Sequence, residues 1–310
     1  MRGDLVTIKR VLVKTTSPRF RRGLLSTRDR MLDLHARWRN SIGWSGSLPN
    51  FIVVGTQKGG TTELYDQLSL HPQIAPSFAK EVHFFDANFN KGIEWYSAFF
   101  PRRLESGRLE SGRLDADCNC HSASITGEAS PCYLFHPDVA RRVRETLPDV
   151  KIILMLRNPA DRAYSHYHHE VRLGYETLPF EKAIAREDAR LEGEKAKMMS
   201  DDCYYSDRYM HYSYLTRGIY VDQVKTWFET FPQEQILLLK SEEFFANSSA
   251  MMSQVHNFLG VEDIEMAKQE RHKSFPYPKM DRAIRQQLVE YFEPYNHMLY
   301  DYLGRDFSWS

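Results

Sequence analysis

A glycine-rich turn directly after an apolar run is the first place in this sequence where chemistry is expected. The run Phe51-Ile-Val-Val continues as Gly55-Thr-Gln-Lys58-Gly-Gly-Thr-Thr62, which predicts a buried strand, a tight loop and the start of a helix. Backbone N–H groups at a helix N-terminus bind anions, and the helix dipole strengthens that attraction. With the cation of Lys58, the hydroxyls of Thr61 and Thr62, and glycines that allow close approach, this loop predicts a phosphate site.

The position of the lysine separates this loop from that of nucleoside triphosphatases, which carry G-x-x-x-x-G-K-[ST]. Gly55 and Gly60 keep the glycine spacing, but Thr61 stands in the lysine's place and Lys58 lies three positions earlier. A kinase would also need an acid after a strand to hold magnesium. The second apolar run, residues 151–156, is instead followed by Arg157. We therefore expect an anionic ligand that is held without metal, and a P-loop kinase is the remote alternative.

A possible acid/base pair follows about twenty residues downstream. If Lys80-Glu81-Val-His83-Phe-Phe85 forms a strand, alternation puts Glu81 and His83 on one face. A carboxylate beside an imidazole suits proton transfer. The alternative is a surface strand with incidental charge.

Two further groups could bind a second phosphate. Arg157 ends an apolar run and Ser165 follows eight residues later in a predicted helix, and the arginine fork suits a phosphate. Lys273 and Ser274 belong to a basic tetrad, residues 271–274, that precedes a proline-stiffened segment. The alternatives are an ion-pair partner for Arg157 and a solvated basic turn for the tetrad. Two phosphate sites imply a nucleotide that is phosphorylated at two places.

The predicted elements bring these groups to one edge of a sheet. Apolar runs at residues 51–54, 151–156 and 235–240 alternate with helical segments. Continuous apolar strands between helices are typical of a parallel sheet covered on both faces, with ligands at the carboxyl ends of its strands. We therefore predict a single α/β domain over residues 48–310. Residues 127–133, a proline-containing loop, and the tyrosine-rich residues 202–214 could line its cleft; the alternative for these tyrosines is packing in the core.

Residues 1–47 form a basic leader that is partly helical. Residues 1–40 contain eleven Arg and Lys against three Asp and Glu. Met31, Leu32, His35 and Trp38 fall on one helical stripe, which favours a helix docked on the domain. A surface for an anionic membrane or a polyanion is the alternative.

The bulk composition excludes several classes of protein. The formal net charge of zero gives no reason to expect nucleic-acid binding, and nothing indicates an oligomeric state. No apolar run approaches the roughly 18–20 residues that span a bilayer, and the N-terminus lacks the apolar core of a signal peptide. We expect a soluble cytoplasmic protein, or a Golgi-lumenal one if an anchor has been removed. The four cysteines match no zinc spacing, so free thiols are expected; the alternative is a bridge among Cys118, Cys120 and Cys132.

These motifs together resemble the sulfotransferases that use 3′-phosphoadenosine 5′-phosphosulfate (PAPS). The likeness is to the branch of heparan sulfate N- and O-sulfotransferases and their bacterial relatives, and it runs from about Phe51 to Trp309. The family's Q-K-x-G-T-T and K-E-x-x-F-F motifs stand at residues 57–62 and 80–85, and R-x-P-x-x-R-A-x-S stands at residues 157–165. Lys91-Gly-Ile-Glu-Trp-Tyr96 and Leu303-Gly-Arg-Asp-Phe307 are also similar. Five motifs in the family's order are highly specific.

The resemblance implies a role for each matched residue. Lys58 would offset the charge of the leaving phosphate, and Glu81 would be the general base, with His83 beside it at the acceptor. The 5′-phosphate would be held by residues of the loop: Gln57, Lys58, Gly59, Gly60, Thr61 and Thr62. The 3′-phosphate would be held by residues of two other motifs: Arg157, Ser165, Lys273 and Ser274. No metal is implied, and the product is 3′,5′-ADP.

The sequence also departs from the heparan-type pattern. Ala129 follows Glu128 where many members have a lysine, and the family's closing S-K-G-R loop is only approximated at residues 272–275. The cysteine pair that precedes this loop in secreted relatives is not found, and neither is the membrane anchor of Golgi members. We therefore predict in-line sulfuryl transfer to a hydroxyl or amine of a carbohydrate-like acceptor. A small-molecule or lipid sulfotransferase is the alternative.

Overall fold

A parallel five-stranded sheet forms the centre of the protein in a computed structural model, which describes residues 18–104, 106–109, 123–265 and 276–309. The strands lie in the order β2-β3-β1-β4-β5. In chain order they are β1 (Phe51–Gly55), β2 (Ile74–Pro76), β3 (Ile125–Ala129), β4 (Lys151–Leu156) and β5 (Ile236–Lys240). All the neighbouring pairs are parallel, as predicted.

Helices connect and cover these strands. Those before β4 are α1 (Pro18–Ser41), α2 (Thr61–Leu68), α3 (Phe84–Ala87), α4 (Ile93–Ser97) and α5 (Val139–Thr146). Between β4 and β5 lie α6 (Pro159–Leu173), α7 (Phe180–Ala185), α8 (Glu187–Leu191), α9 (Glu194–Ser200), α10 (Asp207–His211) and α11 (Tyr220–Thr230). After β5 follow α12 (Ser241–Ala246), α13 (Ser248–Leu259) and α14 (Arg282–Leu303). Short 3-10 turns occupy Phe89–Lys91, Thr216–Gly218 and Gln233–Gln235.

Both faces of the sheet are buried, which confirms the predicted fold class. Along β1, Ile52 and Val54 pack into one hydrophobic cluster with the aromatic side chains of α3 and α4. Phe51 and Val53 pack into a second cluster, on the other face, with α2 and α13. Every residue of β1 is buried, as the continuous apolar run predicted.

The sheet contains two strands that the sequence did not reveal. β2 is only three residues long, and β3 includes Gly127, Glu128 and Ala129, which we predicted as part of a loop. Gly127 pairs with Phe51 in register, and a Cβ at Gly127 would lie 2.5 Å from the Phe51 ring. The strand therefore needs its glycine here, and its polar composition hid it. Only the end of the predicted loop, at Pro131 and Cys132, lines a cleft.

Residues 80–83 are not a strand, contrary to the sequence prediction. They lie outside the sheet, and His83 adopts a left-handed conformation (φ 54°) before α3. Their N–H groups bond to side chains instead of a neighbouring strand: Val82 donates to Glu128 at 3.3 Å and His83 donates to Ser130 at 3.3 Å. Val82 is nevertheless buried while Glu81 and His83 stay partly exposed, so the predicted separation of faces is found.

The first helix packs on the domain, as expected, but through a different stripe. Leu32 and Ala36 are buried in the core, whereas Met31 and Trp38 are exposed. Polar contacts fix this rotation, because Asp33 accepts hydrogen bonds from Lys91 at 2.6 Å and from the indole of Trp95 at 3.0 Å. Arg39 donates to the carbonyl oxygens of residues 98 and 100.

Other predictions concern membrane spans and thiols. In the part of the chain that the structure describes, no helix is long and apolar enough to cross a bilayer. Cys132 and Cys203 are free thiols, while Cys118 and Cys120 lie outside the described residues. Lys273 and Ser274 also lie outside them.

Candidate active site

The turn between β1 and α2 has the geometry of an anion-binding loop. Lys58 and Gly60 both have left-handed backbones, with φ of 69° and 102°. Gly60 is required there, because a Cβ would also lie 2.9 Å from the Phe245 ring. No side chain caps the N-terminus of α2 at Gly60. The first N–H groups of α2 can therefore face an anion.

Gly59 has a different role from its neighbours. It is buried, and a Cβ there would lie 2.7 Å from the carbonyl oxygen of Met155. Gly59 thus lets the loop pack closely on β4, while Gln57, Lys58, Gly60, Thr61 and Thr62 line the cleft.

The end of β4 brings a second cationic group to the same place. The guanidinium of Arg157 donates to the carbonyl oxygen of Lys58 at 3.0 Å, which ties the two strand ends together. Asn158 then starts α6, since its side chain accepts hydrogen bonds from the N–H groups of Ala160 and Asp161. Ser165 lies two turns into α6 and lines the cleft together with Arg157. The structure therefore brings Arg157 and Ser165 to the same cleft as the residues of the loop.

This cleft has a volume of about 970 Å³. Its lining includes the predicted residues Gln57, Lys58, Gly60, Thr61, Thr62, Glu81, His83, Arg157 and Ser165. A volume of this size falls at the upper end of the range for ligand pockets, roughly 300–1,000 Å³. It is large enough for a nucleotide and part of an acceptor.

Lys58 is a cation in an unfavourable environment. Burial, followed by the charge of Arg172 and then that of Arg157, lowers its pKa to about 8. The carboxylates of Glu170 and Glu81 partly oppose that shift. An anionic ligand would relieve the repulsion, which is the expected electrostatic state of a phosphate site before binding.

Glu81 lies within a chain of charged groups. Its Oε1 accepts from Lys80 Nζ at 3.1 Å, and its Oε2 lies 3.7 Å from Nε2 of His83. His83 Nδ1 lies 2.9 Å from Oδ2 of the buried Asp86. Burial opposes both charges, but the surrounding groups prevail: the pKa of Glu81 is well below its usual value, and that of His83 is well above. For His83, the charge of Asp86 is the main cause that raises the pKa.

Lys80 joins the two halves of the site. Its ammonium group donates to Oγ1 of Thr62 at 2.7 Å and to Glu81 at 3.1 Å. The phosphate loop and the candidate base are thus held within one hydrogen-bonded group. We did not assign Lys80 a role from sequence, although it directly precedes Glu81.

A buried carboxylate fixes the segment that carries Glu81. Glu128, which is fully buried, accepts hydrogen bonds from Tyr96 at 2.6 Å, Ser130 at 2.7 Å and Tyr133 at 3.1 Å. It also accepts from the N–H of Val82. Burial raises the pKa of Glu128, and these hydrogen bonds partly oppose the rise. Glu128 therefore holds the segment that carries Glu81 in position, although Glu128 itself does not line the cleft.

Two other contributions were missed by sequence reasoning. Arg28 of α1 donates to the carbonyl oxygen of Glu81 and lines the cleft with Asp29. On α6, the buried Glu170 lies 2.8 Å from Nδ1 of His211 and 3.3 Å from Nε2 of His166. Burial opposes the charge of Glu170, but the two histidines outweigh it, so the pKa of Glu170 is well below its usual value. The four-residue spacing of His166 and Glu170 could have indicated that they are neighbours on one helix face. No pattern in the sequence indicated the contact between Arg28 and residue 81.

Some residues of the tyrosine-rich segment, residues 202–214, line the cleft and others pack in the core, which are the two locations that we considered. Tyr205 lines the cleft, together with Asp207, Met210 and His211. Tyr209 and Tyr214 are buried. Only one part of this segment is therefore placed to contact an acceptor.

Among the described residues, one group has side chains that could hold a metal ion. The ligand atoms of His83, Asp86 and Cys132 lie within 4.8 Å of one another. Arg217 donates to the Cys132 sulfur at 3.5 Å, and its positive charge opposes a cation there. A reaction without metal stays a prediction.

Comparison with known proteins identifies the family. The model of the sulfotransferase domain matches residues 48–294. The chain belongs to this family. A crystal structure of a sulfotransferase from Alicyclobacillus acidocaldarius is 32% identical with a TM-score of 0.61, over 84% of this chain and 98% of that one. The predicted resemblance is thereby confirmed: the chain contains a sulfotransferase domain. The domain boundaries at residues 48 and 310 stay predictions.

Two curated relatives are longer than this chain. The membrane-associated sulfotransferase kil1 of Dictyostelium discoideum is 27% identical over 84% of this chain. The heparan sulfate glucosamine 3-O-sulfotransferase 3A1 of Mus musculus is 26% identical over 86% of it. The chain spans 66% and 65% of the lengths of these relatives.

Proposed function

We propose that this sulfotransferase transfers a sulfuryl group from PAPS to a hydroxyl or amine of a carbohydrate-like acceptor. The observation that carries the proposal is the position of Lys80, within hydrogen-bond distance of both Thr62 and Glu81. Because Lys80 contacts both the phosphate loop and the candidate base, the donor nucleotide and the acceptor would bind close to each other, as a direct transfer requires.

The nucleotide would use both anion sites of the cleft. The 5′-phosphate would meet Lys58 and the N-terminus of α2, and the 3′-phosphate would meet Arg157 and Ser165. Lys273 and Ser274 would close over the 3′-phosphate, as the family resemblance implies. In support, burial and then the charges of Arg172 and Arg157 lower the pKa of Lys58, so several cations lie close together around Lys58 before an anion binds.

The transfer would be an in-line displacement. The bond between sulfur and the bridging oxygen of the 5′-phosphate breaks as the acceptor oxygen or nitrogen bonds to sulfur. Glu81 takes the acceptor's proton, and Lys58 offsets the charge on the leaving 3′,5′-ADP. Glu81 is ionised at neutral pH because its pKa is low, and the protonated His83 beside it orients the carboxylate and faces the acceptor.

The acceptor would lie beside Glu81 and His83, between α1 and α10. The cleft there combines charged and aromatic side chains from Arg28, Lys91, Tyr205, Asp207 and His211. Such a lining suits a hydroxyl-rich molecule better than a flat apolar one. The name of the relative that acts on heparan sulfate glucosamine also favours a glycan. Ala129 is fully buried, so the acceptor would be bound without the lysine that many relatives have at this position.

Thermal unfolding tests the nucleotide. Stabilisation by 3′,5′-ADP in the presence of EDTA is the expected result, because the proposed site uses no metal. Stabilisation only by Mg-ATP would contradict the proposal and favour a kinase. Lys58→Ala should abolish the 3′,5′-ADP effect, while Lys182→Ala, at an exposed position, should leave it intact.

Radiolabelled PAPS tests the acceptor. Label should pass to an amine- or hydroxyl-bearing glycan, and less to phenols, steroids and lipids offered at equal concentration. Transfer to a lipid or phenol alone would replace the carbohydrate-like acceptor with the small-molecule alternative. A cytoplasmic location also stays a proposal, which immunolocalisation of the full chain would test.

A further inference from the structure

One face of α1 presents large apolar side chains to solvent. Met31 is 63% exposed, Leu34 64%, Trp38 58% and Ile42 55%. Their spacing places them on one helical stripe, and the N–H of Ile42 bonds to the carbonyl oxygen of Trp38, which continues the turn past Ser41. We call these four residues the apolar face of α1.

This face is held rigidly, because the other side of the helix is fixed to the domain. Leu32 and Ala36 are buried in the core, and Asp33 is bonded to Lys91 and Trp95. The exposed stripe is therefore not the side of the helix that packs on the domain. Isolated apolar side chains on a surface are normal, but four within twelve residues of one helix form a patch.

Neighbouring side chains enlarge the patch without adding charge. The ring of His35 stacks on Phe78, with ring centroids 3.6 Å apart, and Phe78 is itself 49% exposed. Burial and the charge of Arg39 lower the pKa of His35 to about 4, so this ring is neutral at physiological pH.

Basic residues accompany the apolar face. Arg30 and Arg37 are exposed along the same helix. In the sequence, Phe20 and Leu24 continue the apolar spacing toward the N-terminus, and Arg19, Arg21 and Arg22 lie among them. Residues 1–40 carry eleven basic against three acidic side chains in a chain whose formal net charge is zero. On the described part of the helix, two exposed arginines thus accompany the exposed apolar side chains.

We propose that the apolar face of α1 inserts into the surface of a bilayer that contains anionic lipids. A helix with Trp, Leu and Met on one side and arginines beside them binds in the plane of the interface, its apolar side chains below the headgroups. Arginine side chains extend along the apolar surface while their charged groups reach the headgroups. The described helix is too polar to cross the bilayer, so it would lie on the surface. This goes beyond the proposed transfer reaction and does not depend on it.

The binding would also orient the cleft. Arg28 and Asp29 line the cleft and lie one turn before Met31 on the same helix. A bilayer in contact with the apolar face would therefore lie beside the rim of the cleft, and the acceptor would be taken from or near the membrane surface.

Vesicle binding tests the proposal with the full chain. Phosphatidylcholine vesicles that contain phosphatidylserine should bind the protein in a flotation assay, and phosphatidylcholine alone should bind it weakly. Added salt should release the protein, because the attraction of the arginines is screened. The variant Met31→Ser, Leu34→Ser, Trp38→Ser should reduce partitioning by about tenfold or more, since the apolar insertion is lost.

Two matched variants separate this face from apolar exposure in general. Met199→Ser with Met298→Ser removes side chains that are 55% and 49% exposed elsewhere, and it should leave partitioning unchanged. Arg30→Gln with Arg37→Gln should weaken binding to anionic vesicles only. Quenching of tryptophan fluorescence by brominated lipid should be lost mainly in Trp38→Phe, which reports direct contact. Circular dichroism would establish that each variant is folded.

Several results would overturn the proposal. One is absence of vesicle binding by the wild-type protein. Another is equal loss in the variant with Met199 and Met298 replaced. Concentration-dependent dimerisation that the triple serine variant abolishes, without vesicle binding, would assign the face to a second copy of the chain. Binding to a soluble anionic polysaccharide but not to vesicles would likewise overturn it.

Discussion

The two sides of the cleft are built in different ways. The phosphate-loop side, defined by Lys58, Thr61, Arg157 and Ser165, uses strand ends and helix starts that follow one another directly in sequence. The carboxylate side, defined by Glu81, His83 and Asp86, lies on an irregular segment, residues 80–83, and on the short helix α3 that follows it. That segment is held by Glu128 from β3, by Lys80 and by Arg28 from α1. The first side is fixed by local backbone geometry, and the second by tertiary contacts. We therefore expect substitutions on the two sides to have different effects on nucleotide affinity, transfer rate and stability.

Glu81→Gln should have the largest effect on the rate. We expect kcat to fall by a factor of about 10² to 10⁴, which is the usual contribution of a general base. The affinity for 3′,5′-ADP should stay within about twofold, because the nucleotide contacts lie on the other side. Single-turnover kinetics and calorimetric titration measure the two quantities.

The matched control is Glu94→Gln, which makes the same change at an exposed carboxylate on α4. If Glu81→Gln left the transfer rate unchanged, Glu81 would not be the base. If it weakened nucleotide binding as much as the rate, the two sides would not be separable.

This contrast also explains how much could be predicted from sequence. The continuous apolar run of β1 and the glycines after it specify the phosphate loop locally, so the fold class and the cleft position of Lys58 were predicted correctly. The start of α6 is also marked locally, because Asn158 caps the helix and Pro159 is its first residue. Local signals of this kind need no knowledge of the rest of the chain.

The carboxylate side could not be predicted in the same way. Val82 and His83 bond to Glu128 and Ser130, which lie more than 40 residues away in sequence, and that pairing gave the segment its non-strand conformation. Glu128 itself was assigned to a proline-containing loop, residues 127–133, whereas it lies in β3 with its carboxylate fully buried, which is unusual. Its partners Tyr96 and Tyr133 come from separate elements, and no local pattern connects them.

Glu128→Gln should be the next largest change, and it acts through structure. An amide cannot accept hydrogen bonds at both ends of its side chain, so part of the set from Tyr96, Tyr133, Ser130 and Val82 would be lost. We expect a destabilisation of about 1–3 kcal/mol. Displacement of Glu81 should lower kcat by about 10²-fold, since a small misplacement has that effect. Chemical denaturation and kinetics measure both; Glu229→Gln, exposed on α11, is the control.

The affinity for 3′,5′-ADP should depend on pH through Lys58. Its pKa of about 8 means that the side chain is mostly charged at pH 7 and mostly neutral at pH 9. Because the anion prefers the charged form, Kd should rise by about tenfold between these values. In Lys58→Arg the guanidinium stays charged, so whatever affinity remains should vary little over the same range. An equal rise in both proteins would locate the titrating group elsewhere.

The smallest expected effect concerns Arg28, the contact between α1 and the carboxylate side. Arg28→Ala should lower kcat/KM only a few-fold, because the hydrogen bond to the Glu81 carbonyl is one of several that hold the segment. The change in pH dependence is more diagnostic. The charge of Arg28 contributes to the low pKa of Glu81, so its removal should raise that pKa. Since activity needs the carboxylate, the acidic limb of the kcat/KM profile should move to higher pH.

The matched control is Arg37→Ala, at an exposed position on the same helix, which should leave the profile unchanged with a soluble acceptor. An unchanged profile in Arg28→Ala, together with weaker binding of 3′,5′-ADP, would instead assign α1 to the nucleotide side.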